Sequence, residues 1–551
     1  MMHLLLRRSR RSFSLALAVV VAMLVAGVLA RVAQAQAQTQ QAPVSFVYLR
    51  GADTLGVETI TPGTGTVLGS LRYKGQPRVD WEQVREPLQL TMKVFAPRAA
   101  ESAAPAQSLV FRPRGDSVVL EMTGNGQSVT QRFASKAGAV PVIPSSVLHM
   151  ALLSQYARSI GKTTLPMFQT AGAQTMDVGI VFSGDTSIVT IAGLQMRTVW
   201  ADGVPNESTI AAQNLRVVRA TGTVKPPSSA PEKIDYSAPA GAPYTADNVV
   251  IPTTRGYTLA GTLTKPKGMA KVPVVITISG SGPQERDERL GAVVPGYALF
   301  REVADTLGRR GVAVLRYDDR GVGESGGADS RAKATSADFA DDVLSVVAYL
   351  RTRPDVDGSR ILVAGHSEGG LIGPLAAAKD PSIRAVAMMA GPAYDGRRIL
   401  QFQIGNQFKA LIAANSSADS GLANARTRGE NLEQYAMRRT DTMIDSMSAE
   451  PWMGYFVKAN PKATLRKLRQ PVLVLQGGTD MQVTPEQADT VAAVLKAAGN
   501  NRVTMRTFPA TNHLFVPDPV GAPSGYQALK DVRVRREVLG ALAEWVVQIV
   551  K

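Results

Sequence analysis

The run Arg360-Ile361-Leu362-Val363-Ala364, followed by Gly365-His366-Ser367-Glu368-Gly369-Gly370 and then Leu371 to Lys379, leaves this chain few folds to choose from. The first segment is a short apolar run that reads as a buried strand, and the last reads as a helix. A serine between them must stand out of a very tight turn, so the residues two before and two after it must be small. Gly365 and Gly369 meet that need, because without a Cβ they neither clash nor resist unusual dihedrals. The helix that follows offers a free backbone N–H and a positive dipole end to a developing oxyanion. Ser367 is therefore the candidate nucleophile, and the Glu368 backbone N–H a candidate oxyanion donor.

Composition narrows the chemistry around that serine. The chain has no cysteine, which removes disulfides, thiolate metal sites and a thiol nucleophile. Its four histidines are His3, His149, His366 and His513, too few for a histidine-built metal site, so no metal and no cofactor is expected. The net charge is +16, and it falls to +11 without the five arginines of the N-terminal 37 residues. The remainder holds no dense basic run with interleaved aromatics, so nucleic acid is not an expected partner.

Residues 1–37 read as an export signal. Arg7 to Arg11 are a basic start, Leu15 to Ala30 an apolar run, and Ala33-Gln34-Ala35 and Ala35-Gln36-Ala37 small-x-small cleavage sites. Although Arg10-Arg11 also resembles a twin-arginine signal, the strong apolar run favours an ordinary basic n-region. The expected location is periplasmic or secreted. Membrane contact is expected only in transit or through an uncleaved signal anchor. Residues 42–222 alternate short Val-, Thr-, Leu- and Phe-rich runs with Gly, Asp and Asn turns, which points to a mostly antiparallel β domain. One helical stretch, Pro144 to about Ile160, interrupts it, and His149 there reads as a packed or surface residue. The region carries no chemical constellation, and it suits an apolar-ligand module, a partner-binding module or a structural appendage. Residues 223–246 form a Pro/Ser/Ala linker. From 247 to 551, strands alternate with helices, which is the mark of a mainly parallel sheet with helices on both faces. Residues 392–468 break that alternation with helical material.

A serine nucleophile needs a base, and the base needs an acid to hold its tautomer. Asp480 closes Leu473-Val474-Leu475-Gln476-Gly477-Gly478-Thr479-Asp480, just past an expected strand end, and His513 follows the next expected strand. Asp489 and Asp518 are the fallback acids, Asp489 ranking low because it should lie within a helix. His366, directly before the serine, reads as structural. The second oxyanion donor is expected from Ser279-Gly280-Ser281-Gly282-Pro283, with the Ser281 backbone N–H favoured over its glycine neighbours.

Four separated segments, Ile278 to Asp287, Leu315 to Ser325, Gly365 to Gly370 and Asp480 to Val483, resemble a group of bacterial α/β-hydrolases. These are esterases and serine-aminopeptidase-like or dienelactone-hydrolase-like proteins, and the resemblance spans roughly 245–551. It implies the α/β-hydrolase fold, triad roles for Ser367, Asp480 and His513, and hydrolysis of carboxylic esters, often with short acyl chains. It also makes Asp318 to Ser325 a structural segment and 392–468 a lid over the acyl pocket. Within that lid, Ile399, Leu400, Phe402, Ile404, Phe408, Leu411 and Trp452 are candidate lining residues. Two departures limit the likeness. Dienelactone hydrolases use cysteine, and prolyl-oligopeptidase-type enzymes carry a tyrosine where this chain has Glu368, as well as a long propeller. The expected ligand is a small-molecule ester. Peptide or amide hydrolysis on the same residues, or a binding protein whose 42–222 region is the working module, are the alternatives.

Overall fold

The computed structural model describes residues 42–96, 99–124, 127–171, 174–191, 194–227, 234–291, 293–414 and 420–551. The expected export signal, 1–37, lies outside them. The chain divides into two compact units, one ending at Lys233 and the other beginning at Ile234.

In the N-terminal unit, fifteen strands form one sheet among the described residues. The chain meanders outward through eight strands from Val44–Arg50 to Gln127–Ala134. It then re-enters at the opposite edge and meanders back to Leu215–Arg219, which pairs with Val44–Arg50. Each neighbouring pair is antiparallel except Val140–Val142 beside Thr164–Gln169. Inward-facing residues of the alternating strands build one core, in which Phe46, Ile60, Leu90, Phe111, Phe168 and Val178 are buried. The single described α-helix here, Val147–Ser159, starts where the Ser146 hydroxyl accepts the His149 N–H at 2.9 Å. It lays Val147, Leu148, Ala151, Leu153 and Ala157 into that core.

Glu58 is fully buried beneath this helix. Its carboxylate accepts hydrogen bonds from Trp81 Nε1 (2.9 Å), the Ser146 hydroxyl (2.7 Å) and the Tyr48 hydroxyl. His149 stacks on Trp81 with ring centroids 4.7 Å apart, and its ring nitrogens face the Ile143 N–H and Gln83 Oε1. It is a packed histidine with every polar atom used. Neither group was singled out as a core anchor from the sequence, because nothing local pairs Glu58 with a helix almost ninety positions away.

Among the described residues the C-terminal unit contains eight strands: β1 (Tyr244–Pro252), β2 (Thr258–Pro266), β3 (Val272–Ile278), β4 (Ala313–Tyr317), β5 (Val356–His366), β6 (Ala385–Met389), β7 (Val472–Gly477) and β8 (Val503–Phe508). Their order across the sheet is β1-β2-β4-β3-β5-β6-β7-β8. The β1 and β2 strands are antiparallel to their neighbours, and β3 to β8 are parallel. The central strands are apolar and buried on both faces, as parallel strands between two helix layers must be. Helices α1 (Leu299–Gly308), α2 (Ser336–Thr352), α3 (Gly369–Lys379), α4 (Glu486–Ala497) and α5 (Arg536–Val550) supply those layers. One core unites α2, α3 and α4 with the sheet, and the other unites α1 and α5 with it. A capping box opens α2: Thr335 and Asp338 bond reciprocally at its start.

The end of the expected linker is folded in this unit. Tyr244 to Ala246 lie in β1, and before them the Tyr236 hydroxyl donates to Glu285 while its ring covers the Arg286 guanidinium. Proline and alanine punctuation hid this, because the packing partners lie some fifty residues onward. Between β6 and β7 come the helices Gly396–Ala414, Ser420–Thr427, Leu432–Met447, Pro451–Lys458 and Pro461–Leu465. Ile399, Leu400, Ile404 and Trp452 pack in one cluster on Leu371 of α3, Phe408 in a second, and Phe402 is exposed. The Leu411 side chain lies outside the described residues. Among the described residues no helix is long and apolar enough to cross a membrane.

Candidate active site

Ser367 stands between the end of β5 and the start of α3 with φ at +54°. That left-handed conformation costs a non-glycine residue about 1 kcal/mol. The surrounding turn imposes it. The Ser367 N–H donates to Met389 O of β6 at 2.9 Å, and the Gly370 N–H to Ser367 O at 2.9 Å. A Cβ on Gly365 would fall 2.0 Å from Gly369 O, and one on Gly369 would fall 2.1 Å from Ile278 O. Only hydrogen fits at either position, so the turn brings the serine hard against the end of β3.

The loop after β3 holds the other expected donor. The Gly280 N–H is spent on Glu288 Oε1 at 2.9 Å. Among the described residues, neither the Ser281 nor the Glu368 backbone N–H has an acceptor in range. These two donors are therefore free for a ligand oxygen. The loop itself is pinned by buried ion pairs. Arg286 grips Asp318 through two parallel bonds of 2.9 and 2.7 Å, and Asp287 pairs with Arg316. The segment Asp318 to Ser325 has a structural part here: Asp318 holds Arg286 and also accepts the Glu324 N–H.

Asp480 follows β7 and His513 follows β8. His513 Nδ1 lies 2.8 Å from Asp480 Oδ2. The same carboxylate accepts Gln476 Nε2 at 3.0 Å and the Gln482 and Val483 N–H groups at 2.8 and 3.0 Å. Asp480 is thus a buried carboxylate facing four donors. A carboxylate at Nδ1 fixes the hydrogen there and leaves Nε2 as the basic nitrogen. The fallback acids are elsewhere. Asp518 bonds Asn512 Nδ2 and the Val520 and Gly521 N–H groups, and Asp489 is exposed on α4.

A serine after β5, an acid after β7 and a histidine after β8, on a sheet ordered 1-2-4-3-5-6-7-8, form one pattern. The sequence profile of the family described as serine aminopeptidase, S33 matches residues 296–519, which include Ser367, Asp480 and His513. The C-terminal unit has the α/β-hydrolase fold. The chain is 29% identical over 293 residues to esterase EstD of Thermotoga maritima, a match covering 53% of this chain and 66% of that protein. It is 29% identical over 141 residues to thiohydrolase apmlB of Arthrinium phaeospermum, covering 26% and 41%. It thus spans less than two thirds of either curated relative. Solved structures include the Pyrococcus furiosus esterase Pf2001, with 18% identity, 58% of this chain and 97% of that one, and a TM-score of 0.38. Another is Est1E from Butyrivibrio proteoclasticus with ferulic acid bound, with 22% identity, 55% and 99%, and a TM-score of 0.33.

Two side chains of this α/β-hydrolase site have more to do than their sequence context suggested. The Glu368 carboxylate is buried, accepting the Ser336 hydroxyl at 2.6 Å and Trp452 Nε1 at 2.8 Å. Burial raises its pKa, opposed by hydrogen bonds from Ser336, Trp452 and Ser281. It therefore ties the residue after Ser367 to the helix Pro451–Lys458. His366 points away from the serine, with Nδ1 2.8 Å from Glu288 Oε1 and Nε2 2.9 Å from His513 O. Glu288 carried no sequence signal, since it lies inside an ordinary charged run. Among the described residues no group of acidic and histidine side chains is arranged to hold a metal ion.

Proposed function

We propose that the protein is a serine hydrolase that cleaves carboxylic esters, those of short to medium acyl chains first, through an acyl-enzyme on Ser367. The observation that carries this reading is the buried Asp480–His513 pair at 2.8 Å, past the ends of β7 and β8, which run parallel to the β5 strand that leads into a positive-φ Ser367. The likeness to esterase EstD supports it as well. In the proposed cycle, His513 Nε2 takes the hydroxyl proton as Ser367 Oγ attacks the carbonyl carbon. The Ser281 and Glu368 N–H groups take up the oxyanion. Collapse of the adduct expels the alcohol, which receives the proton from His513. Water then attacks the acyl-enzyme with His513 again as base, releasing the acid and Ser367. Asp480 holds the ring tautomer and stabilises the imidazolium. No cofactor enters the cycle. The helices of 392–468 act in this reading as the lid over the acyl pocket.

The leader-like 1–37 segment supports export to the periplasm or beyond as part of the same proposal, with membrane contact only in transit or through an uncleaved anchor. The test is a series of p-nitrophenyl esters from acetate to palmitate, run beside aminoacyl p-nitroanilides with Ser367→Ala as control. Ester cleavage lost in the variant is the expected result. Cleavage of anilides alone would move the protein to the peptidases. No turnover of either by folded protein would leave the N-terminal unit as the working module and refute the hydrolase reading.

A further inference from the structure

Three loops converge behind Ser367: the loop after β3 with its free Ser281 N–H, the elbow itself, and the loop after β8 with His513. Acyl transfer requires donor, nucleophile and base to keep their spacing to within about half an ångström. A single chain of hydrogen bonds connects all three. The Gly280 N–H donates to Glu288 Oε1 at 2.9 Å, that oxygen faces His366 Nδ1 at 2.8 Å, and His366 Nε2 faces the His513 carbonyl at 2.9 Å. Chemistry assigns the hydrogens. A backbone carbonyl only accepts, so Nε2 carries one, while Nδ1 faces the same Glu288 oxygen that accepts the Gly280 N–H. Burial draws the His366 pKa down, but the Glu288 carboxylate, the His513 carbonyl and the Asp480 charge together leave it raised.

The arrangement is built rather than incidental. Glu288, His366 and His513 are each no more than 3% exposed. Glu288 holds φ at +54°, a strained conformation for a side-chain-bearing residue. The ion pairs of Arg286 and Asp287, immediately before it, hold it there. The other Glu288 oxygen has no hydrogen-bond partner among the described residues, so its charge is met from the side of His366 and Gly280. A Cβ on Gly280 would lie 2.9 Å from Glu288 Oε1 and 3.1 Å from Ser367 Cβ, which leaves no space for any larger residue.

We propose that Glu288 and His366 are positioning residues that clamp the oxyanion loop to the backbone of His513, so that donor and base address the same reacting carbon. The inference rests on the hydrolase reading and adds two residues to it that touch neither substrate nor reacting atoms. It is tested on the full chain with ester kinetics and the rate of Ser367 labelling by a fluorophosphonate. The variants are Glu288→Ala, Glu288→Gln, His366→Ala and the double alanine variant, with melting temperatures measured for each. The alanine variants are expected to lose about 10–100-fold in kcat, with KM within about threefold, because alignment and not pocket contact is lost. Labelling should slow in parallel. The double variant should be no worse than the poorer single one, since either cut opens the same clamp. Glu288→Gln should fall between wild type and alanine, because it keeps an acceptor for Gly280 without the charge opposite His366. It also serves if an alanine variant does not fold. Wild-type kcat in folded Glu288→Gln and His366→Ala, or losses that multiply in the double variant, would overturn the clamp while leaving the hydrolase intact. Wild-type protein that takes no phosphonate on Ser367 would overturn the hydrolase reading, and the clamp with it.

Discussion

Replacing Glu58 by glutamine should make the N-terminal unit gain stability on wild type as pH rises, and the size of the effect follows from its burial. Burial raises the Glu58 pKa from 4.5 to about 6, against the opposing pull of its hydrogen bonds from Tyr48, Ser146 and Trp81. A carboxyl whose folded pKa is raised binds its proton more tightly in the native state. Its stabilising contribution is therefore complete below about pH 4.5 and is lost as pH rises through about 6. The shift corresponds to about 2 kcal/mol. Buried His149 acts in the opposite sense. Burial lowers its pKa from 6.5 to about 3, so native stability is lost as pH falls below 6.5. The wild-type profile alone thus mixes two opposed slopes, and the informative quantity is the difference between wild type and Glu58→Gln, in which His149 cancels. Glutamine keeps the shape and an acceptor without a charge to desolvate. Between pH 4 and pH 7.5, Glu58→Gln should gain about 2 kcal/mol on wild type. For a unit of this size that is about 4–8 °C in the melting transition that the substitution moves. Scanning calorimetry of the full chain at both pH values measures it. A difference that stays the same at the two pH values would refute the reasoning, for it would mean that Glu58 carries no burial penalty.

Three further outcomes are expected. Asp480→Asn places an NH2 against His513 Nδ1 and Gln476 Nε2, both donors, and forces the wrong imidazole tautomer; kcat on a short ester should fall roughly 10⁴-fold with little change in KM, by steady-state kinetics. Trp452→Phe removes the indole donor to buried Glu368, which should cost about 1.5–3 kcal/mol by denaturant titration. The same variant should raise KM more for long acyl chains than for acetate if the Pro451–Lys458 helix borders the acyl pocket. Gly369→Ala drives a methyl to 2.1 Å from the Ile278 carbonyl, so the hydrolase unit should lose about 3 kcal/mol, read as a lowered melting midpoint together with loss of Ser367 labelling.

Periodicity and local spacing carried most of the C-terminal unit's fold. Apolar runs such as Val272 to Ile278 belong in a doubly covered sheet, and the glycine pair around Ser367 belongs in a tight turn, because both requirements are met within a few residues of chain. Likewise Asp480 and His513 could be picked out as candidates from their order and their places past strand ends, and the structure brings them together. Tertiary structure decided whatever depended on partners distant in sequence. It gave the His513 ring to Asp480 and spent Asp518 on Asn512, a choice of a few ångströms that no spacing encodes. The Gly280 N–H was withdrawn from the oxyanion donors by giving it to Glu288, and Glu368 was turned inward to Trp452 across 84 positions. In the N-terminal unit, alternation announced strands, but their joining into one fifteen-stranded sheet, with the first beside the last, needed the whole chain. A strand's pattern says which of its faces is buried; only the folded chain says against what.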